Sequence, residues 1–214
     1  MNRQVKSLKQ RPQSLLWPAL WALLFLLVFI WSGINPKDRI TWMLEVAPAV
    51  IAFVILAATR KSFPLTTLVY VLLLLHCWIL MVGGHYTYAE VPLFDSIREI
   101  FNQSRNNYDK LGHFAQGFVP VLICREVIIR YRLVNGRFFT QFFSLCFALA
   151  VSAFYELIEW WVALISDEAA AAFLGTQGYI WDTQSDMGWA LIGALIALVF
   201  FSSWHDRQIR NMPA

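Results

Sequence analysis

The chain has 214 residues, 58% of them hydrophobic and only 14% charged, with a net charge of +3. Soluble domains carry about 25% charged residues, so this composition excludes a disordered chain, a coiled coil and a small disulfide scaffold, and points to a membrane protein. The basic residues sit between apolar runs rather than in one stripe, which argues against a nucleic-acid partner.

A membrane helix needs roughly 20 largely apolar residues to cross the hydrocarbon layer. Six spans meet that requirement, at 15–34, 40–59, 65–82, 109–129, 138–165 and 183–203. The expected fold is therefore all-α: one integral membrane domain, 1–214, with six transmembrane helices and short interfacial helices in the outer loops. The first span follows Arg3, Lys6, Lys9 and Arg11, as a secretory signal would. Its apolar core is too long for a signal and no small-residue cleavage pattern follows, so it reads as an uncleaved anchor. Cys77, Cys124 and Cys146 each lie in an apolar run and read as small buried thiols.

Orientation follows from the Lys and Arg distribution. With the N-terminus inside, the inner segments hold eleven (Arg3, Lys6, Lys9, Arg11, Arg60, Lys61, Arg130, Arg132, Arg137, Arg207 and Arg210) and the outer segments five (Lys37, Arg39, Arg98, Arg105 and Lys110). Both termini are expected on the cytoplasmic side.

Ionisable residues inside a bilayer are costly and usually turn toward a partner or water. Here Asp109, Lys110 and His113 open the fourth span, Glu156 and Glu159 lie near the outer end of the fifth, and Asp182 and Asp186 open the sixth. All reach one leaflet from helices of alternating direction. Spacings of three or four place each acidic or acid–His pair on one helix face. Ala190, Gly193 and Ala197 continue the Asp186 face as a small-residue stripe suited to close helix contact. The polar faces are thus expected to converge inside the bundle. In isolation, Asp182 and Asp186 have a simpler reading, as acids at the positive end of a helix dipole.

Between the third and fourth spans lies a long loop. Pro92 suits a first helical position, and Leu93, Phe94, Ile97, Ile100 and Phe101 share one face of an amphipathic helix on the outer surface. Arg98 and Arg105 are candidates to bind an anionic substrate, or simply exposed charges of an interfacial lid. His85 follows Gly83 and Gly84, which permit unusual backbone angles, and could join the acidic cluster. In the last outer loop, Ser166, Asp167 and Glu168 precede a capped short helix over 169–174, ended by Gly175. The aromatic residues around it fit an interfacial belt. Arg125 and Glu126 read as a cytoplasmic boundary feature and His205 as solvated.

Several carboxylates with imidazole, brought close together, require shared protons, a compensating Lys110, Arg98 or Arg105, or a bound cation. Carboxylates with imidazole suit Zn, Mn or Fe; carboxylates with water suit Mg or Ca. The expected site therefore has His113, Asp109 and Glu156 as catalytic groups, Asp182, Asp186, Glu159 and His85 as ligands of a divalent metal, and Arg98 and Arg105 against substrate. Metal-assisted hydrolysis or transfer on a lipid or cell-envelope substrate is the leading expectation. A proton- or cation-coupled transporter and a non-catalytic membrane component are the alternatives. No HExxH signature and no Ser/His/Asp nucleophile arrangement is present.

The segments Tyr108-Asp109-Lys110-Leu111-Gly112-His113-Phe114, Tyr155-Glu156-Leu157-Ile158-Glu159-Trp160 and 175–187 resemble the YjdF family of bacterial inner-membrane proteins along essentially the whole chain. That resemblance implies topology and location, and no particular activity. Asp109 to Phe114, with Asp186, Gly188 and Gly193, is more distantly similar to VanZ-like membrane proteins, which are linked to glycopeptide resistance.

Overall fold

A computed structural model of the chain describes residues 16–165 and 177–212. The basic residues ahead of the first span and the short helix expected over 169–174 lie outside the described residues. Within them the chain is helical, without strands. Six helices are long and apolar enough to cross a membrane.

In chain order these are α1 (Leu16–Gly33), α2 (Arg39–Thr59), α3 (Thr67–Tyr86), α4 (Pro92–Ile100), α5 (Tyr108–Tyr131), α6 (Arg137–Ile165) and α7 (Asp182–Ile196). A π-helical turn, Ala197–Phe201, joins α7 to α8 (Ser202–Arg210). α4 is the short amphipathic helix; the other breaks fall within a few residues of the expected ones at most ends. The sixth span is the exception, because the helix runs on to Arg210 rather than stopping near Ser203. The N-termini of α2, α5 and α7 meet the C-termini of α1, α3 and α6 at one end of the bundle, called the upper end below.

Asp38 starts α2 by accepting the Thr41 amide hydrogen at 2.6 Å. That bond holds its carboxyl below the usual carboxylate range. The cap therefore contributes fully at neutral pH and fades as pH falls through the lowered value. Asp38→Ala is expected to cost about 1 kcal/mol, read as a lower thermal midpoint in detergent whose deficit shrinks in acid.

At the lower end, α3 is capped by residues distant in sequence. Glu126 accepts from the Thr66 amide (3.0 Å) and hydroxyl (2.8 Å), and the Gln208 side chain accepts from the Leu68 amide (2.9 Å). Glu126 also meets His205 Nε2 at 3.0 Å and Arg130 Nη1 at 3.1 Å. Arg125 reaches His205 Nδ1 at 3.3 Å and Asp206 at 2.5 Å. An arginine only donates, so His205 Nδ1 accepts and its Nε2–H donates to Glu126. Arg125, Glu126 and His205 are all buried. The expectation of a solvated His205 and a boundary pair at 125–126 is thus corrected: the continued helix α8 folds His205 back onto α5.

α3 passes straight through Gly83 and Gly84, so these glycines do not serve unusual backbone angles. They provide room. A Cβ on Gly83 would lie 2.2 Å from the Tyr88 ring, which folds back over the helix end. The left-handed residues are instead Thr87 (φ 57°) and Tyr88 (φ 54°), a costly pair held in place by the buried Tyr88 ring.

The closest helix pair is α5 with α7. A Cβ on Gly117 would lie 1.8 Å from the Ala190 carbonyl oxygen, and one on Gly193 would lie 2.1 Å from that of Phe114. The stripe of small residues therefore brings backbone against backbone. α6 has an inverted pattern. Thr140, Ser144, Ala148, Ser152, Glu156 and Glu159 face inward, while Phe138, Phe142, Phe147 and Phe154 face out. Such a helix is arranged for surroundings more apolar than its own protein interior. Cys77 is buried as expected, Cys124 half-buried, and Cys146 exposed on the outward side of α6.

Candidate functional site

The first part of the upper-end cluster is ionic and ties α5 to α7. Lys110 Nζ donates to Asp182 Oδ1 at 2.9 Å and to Asp186 Oδ1 at 2.6 Å. Arg105 Nη1 donates to the same Asp182 oxygen at 2.5 Å, and its Nη2 lies 3.7 Å from Asp109. The Tyr179 ring covers both cations, 5.7 Å from the guanidinium and 5.6 Å from the ammonium. Arg105, Lys110, Asp182 and Asp186 are all buried.

The second part lies between α5 and α6 and has fewer partners. His113 Nδ1 is 3.0 Å from Gln116 Oε1. The amide oxygen accepts, so Nδ1 carries the hydrogen and Nε2 of the neutral ring presents its lone pair. That nitrogen faces Asp109 Oδ1 at 3.4 Å and Glu156 Oε1 at 3.6 Å, distances too long for ordinary hydrogen bonds. Glu156 is 8% exposed, and its buried Oε1 has no hydrogen-bond partner. Glu159, one turn further along α6, is equally buried.

Two sets of groups could share one ion: Asp109, His113 and Asp186, and His113, Glu156 and Glu159. In each, the ligand atoms lie within 4.8 Å of one another. His113 belongs to both. Beside them is a cavity of about 20 Å³ lined by Glu45, Tyr88, Asp109, His113, Tyr155 and Glu159, among others. That volume suits one water or one ion and excludes a lipid headgroup.

Charge arithmetic sharpens the picture. Among the described residues, six carboxylates (Glu45, Asp109, Glu156, Glu159, Asp182 and Asp186) meet two permanent cations, Arg105 and Lys110. Both cations lie on the Asp182 and Asp186 side. Among the described residues the α6 carboxylates face an imidazole and the Thr183 hydroxyl but no lysine or arginine, so a proton or a metal would supply the missing positive charge.

Of the residues expected at the site, Asp109, His113, Glu156, Glu159, Asp182, Asp186 and Arg105 come together. His85 does not. Its Nδ1 donates to the Ser32 carbonyl at 2.9 Å and its ring packs on Trp31 and Tyr86, tying α3 to α1. Arg98 also stands apart, half exposed on α4 and 3.4 Å from Asp95. The sequence reading missed Glu45, whose Oε2 accepts the Tyr155 hydroxyl hydrogen at 2.6 Å, and the two tyrosines that flank it. A lone carboxylate within the second span was the available signal.

Comparison with known proteins places this architecture in a family. The family model described as predicted membrane protein DUF2238 matches residues 17–207. The chain belongs to that family. Among DUF2238 relatives, the inner membrane protein YjdF of Escherichia coli K12 is 52% identical over 190 residues, 89% of this chain and 91% of the relative. No solved structure matches, and the expected likeness to VanZ-like proteins is not shown. The chain is an integral membrane protein, and the DUF2238 match extends over every residue of the cluster.

Proposed function

We propose that this protein holds a divalent transition metal between α5, α6 and α7 and uses it for hydrolysis or group transfer on an ester or phosphate of a membrane lipid or envelope precursor. The observation that carries this reading is the unpartnered, buried Glu156 oxygen facing the His113 lone pair beside a cavity of ion or water size. His113, Asp109, Asp186, Glu156 and Glu159 supply the ligand set, a mixture of carboxylate and imidazole that suits Mn, Fe or Zn. Gln116 fixes the ring tautomer, as outer partners of metal-bound histidines do. A metal here would polarise the scissile group and lower the pKa of a bound water. Any ligand not needed for binding is placed to take that water's proton. Asp182 holds Lys110 and Arg105 in position rather than binding the ion.

The relative is named an inner membrane protein, and the Lys and Arg bias between alternate loops supports the reading in which both termini of this chain are cytoplasmic. The site then opens toward the periplasm. Transport has less support: between the two polar clusters, α5 carries only the apolar stretch Gly117 to Cys124.

Metal analysis of the full chain, purified without chelator, tests the proposal. About one equivalent of transition metal per chain is expected, falling at least tenfold in His113→Ala and Glu156→Gln with the thermal midpoint held within a few degrees. Negligible metal in wild-type protein grown with each metal supplied would overturn it.

A further inference from the structure

The lower end of the bundle carries a second concave feature that the metal site does not use. Between the start of α1, the end of α2 and the start of α3 lies a groove of about 590 Å³. Trp21, Phe53, Leu56 and Tyr70 are among the residues that wall it, and Trp17 stands at its edge. Its size falls in the range of small-molecule sites and is far beyond an ion. The walls are fixed rather than collapsible. The Trp21 indole donates to the Tyr70 carbonyl at 2.8 Å, and its ring stacks on Phe25 and Phe53 at 5.6 and 6.1 Å.

Arg60 and Lys61 lie on the rim, at the end of α2. Neither is buried, and neither has an acidic partner among the described residues, so both are open to an anion. Arg130 of α5, which reaches this loop, is taken by Glu126 and by the Pro64 carbonyl. An apolar groove between membrane-spanning helices, with two cations on its rim that have no acidic partner among the described residues, matches one chemistry: an acyl chain joined to an anionic head. Two adjacent basic side chains attract anionic lipid, and aromatic residues mark the headgroup level.

We infer that this groove binds one anionic phospholipid, with an acyl chain against Trp21, Phe53 and Leu56 and the phosphate between Arg60 and Lys61. The lipid would hold α1 to α2 and α3 at the end where the described side chains leave a gap. The site is independent of the metal cluster, which lies at the opposite end of the bundle.

The test uses the full chain in a neutral detergent, with dioleoyl phosphatidylglycerol and dioleoyl phosphatidylcholine added at equal amounts and retained lipid read by native mass spectrometry. Wild-type protein should keep a single phosphatidylglycerol at least fivefold over phosphatidylcholine. Arg60→Gln with Lys61→Gln should lose the preference, and Ala57→Trp, which fills the groove but keeps both cations, should lose retained lipid of either kind. Inorganic phosphate alone should not displace the lipid. Equal retention of the two lipids by wild-type protein, or an unchanged preference in the double variant, would sink the idea. Displacement by phosphate would also count against it, because the ligand would then be the anion and not the lipid.

Discussion

Lys110→Met is expected to lower stability by about 3–5 kcal/mol, the usual result of removing one partner from a buried ion pair. The ammonium sits within 2.9 Å of two carboxylates on α7, and both remain buried when it is gone. Arg105 can still neutralise Asp182 at 2.5 Å, but among the described residues Asp186 has no second lysine or arginine in an ion pair, only the His113 imidazole nearby. The helix that loses its tie is the one whose backbone lies against α5, so the damage should spread to the whole α5–α7 contact. A detergent melt of Lys110→Met beside Lys110→Met with Asp186→Asn checks this. Neutralising the stranded aspartate should recover much of the loss, whereas equal midpoints for the two variants would mean that the pair carries little energy.

This prediction separates the two parts of the cluster. The Arg105, Lys110, Asp182 and Asp186 group is largely matched in charge and fastens helices together. The His113, Glu156 and Glu159 group is unmatched, and its groups face one another at distances that no direct hydrogen bond satisfies. A group that only fastened helices would have closed those gaps. Glu156→Gln should therefore be benign for folding, since it removes a buried charge without a partner. The same substitution is expected to empty the metal site, so stability and metal content move independently.

Much of this was legible in the sequence because the informative signals were local. Hydropathy marks a span without reference to the rest of the chain, and spacings of three or four assign Asp109 with His113, Glu156 with Glu159, and Asp182 with Asp186 to shared faces. The alternating direction of the helices then brings these faces to one end. Glu45 was harder to recognise because it stands alone on α2, so no periodicity announces it; its link to Tyr155 spans 110 positions. Tyr88 enters the cavity through a left-handed turn of two non-glycine residues, a conformation that local propensity argues against. His205 was misread for a related reason. The polar segment 202–210 looks like a tail, yet Glu126 and Arg125 on α5 supply partners for its histidine, and long-range partners leave no local trace. His85 shows the reverse error, where a residue near the right end of the right helix points toward α1 rather than α5.

Gly117→Ala is the smallest substitution with a large expected effect. Its new Cβ would sit 1.8 Å from the Ala190 oxygen and 2.5 Å from the carbonyl carbon, so backbone rather than a flexible side chain must give way. α5 and α7 would have to part by more than an ångström, and the reciprocal contact of Gly193 with the Phe114 carbonyl, 2.1 Å for an added Cβ, would open with it. Overpacking of a closed interior usually costs about 1–3 kcal/mol, and a backbone clash on this scale belongs at or above the upper end. Gly188→Ala on the partner helix α7 provides the control, because nothing lies within 4 Å of a Cβ at that position. Replacing that glycine should leave stability unchanged or raise it by up to about 1 kcal/mol through helix propensity. The consequences reach the site as well. Lys110, His113 and Asp186 flank the same α5–α7 seam, so parting the helices stretches the ion pair at 2.6 Å and moves Asp186 away from His113. The expected outcome for Gly117→Ala is a lowered thermal midpoint together with loss of bound metal, while Gly188→Ala keeps both. A normal midpoint in Gly117→Ala would show that the two helices are not in the close contact from which the cluster is built.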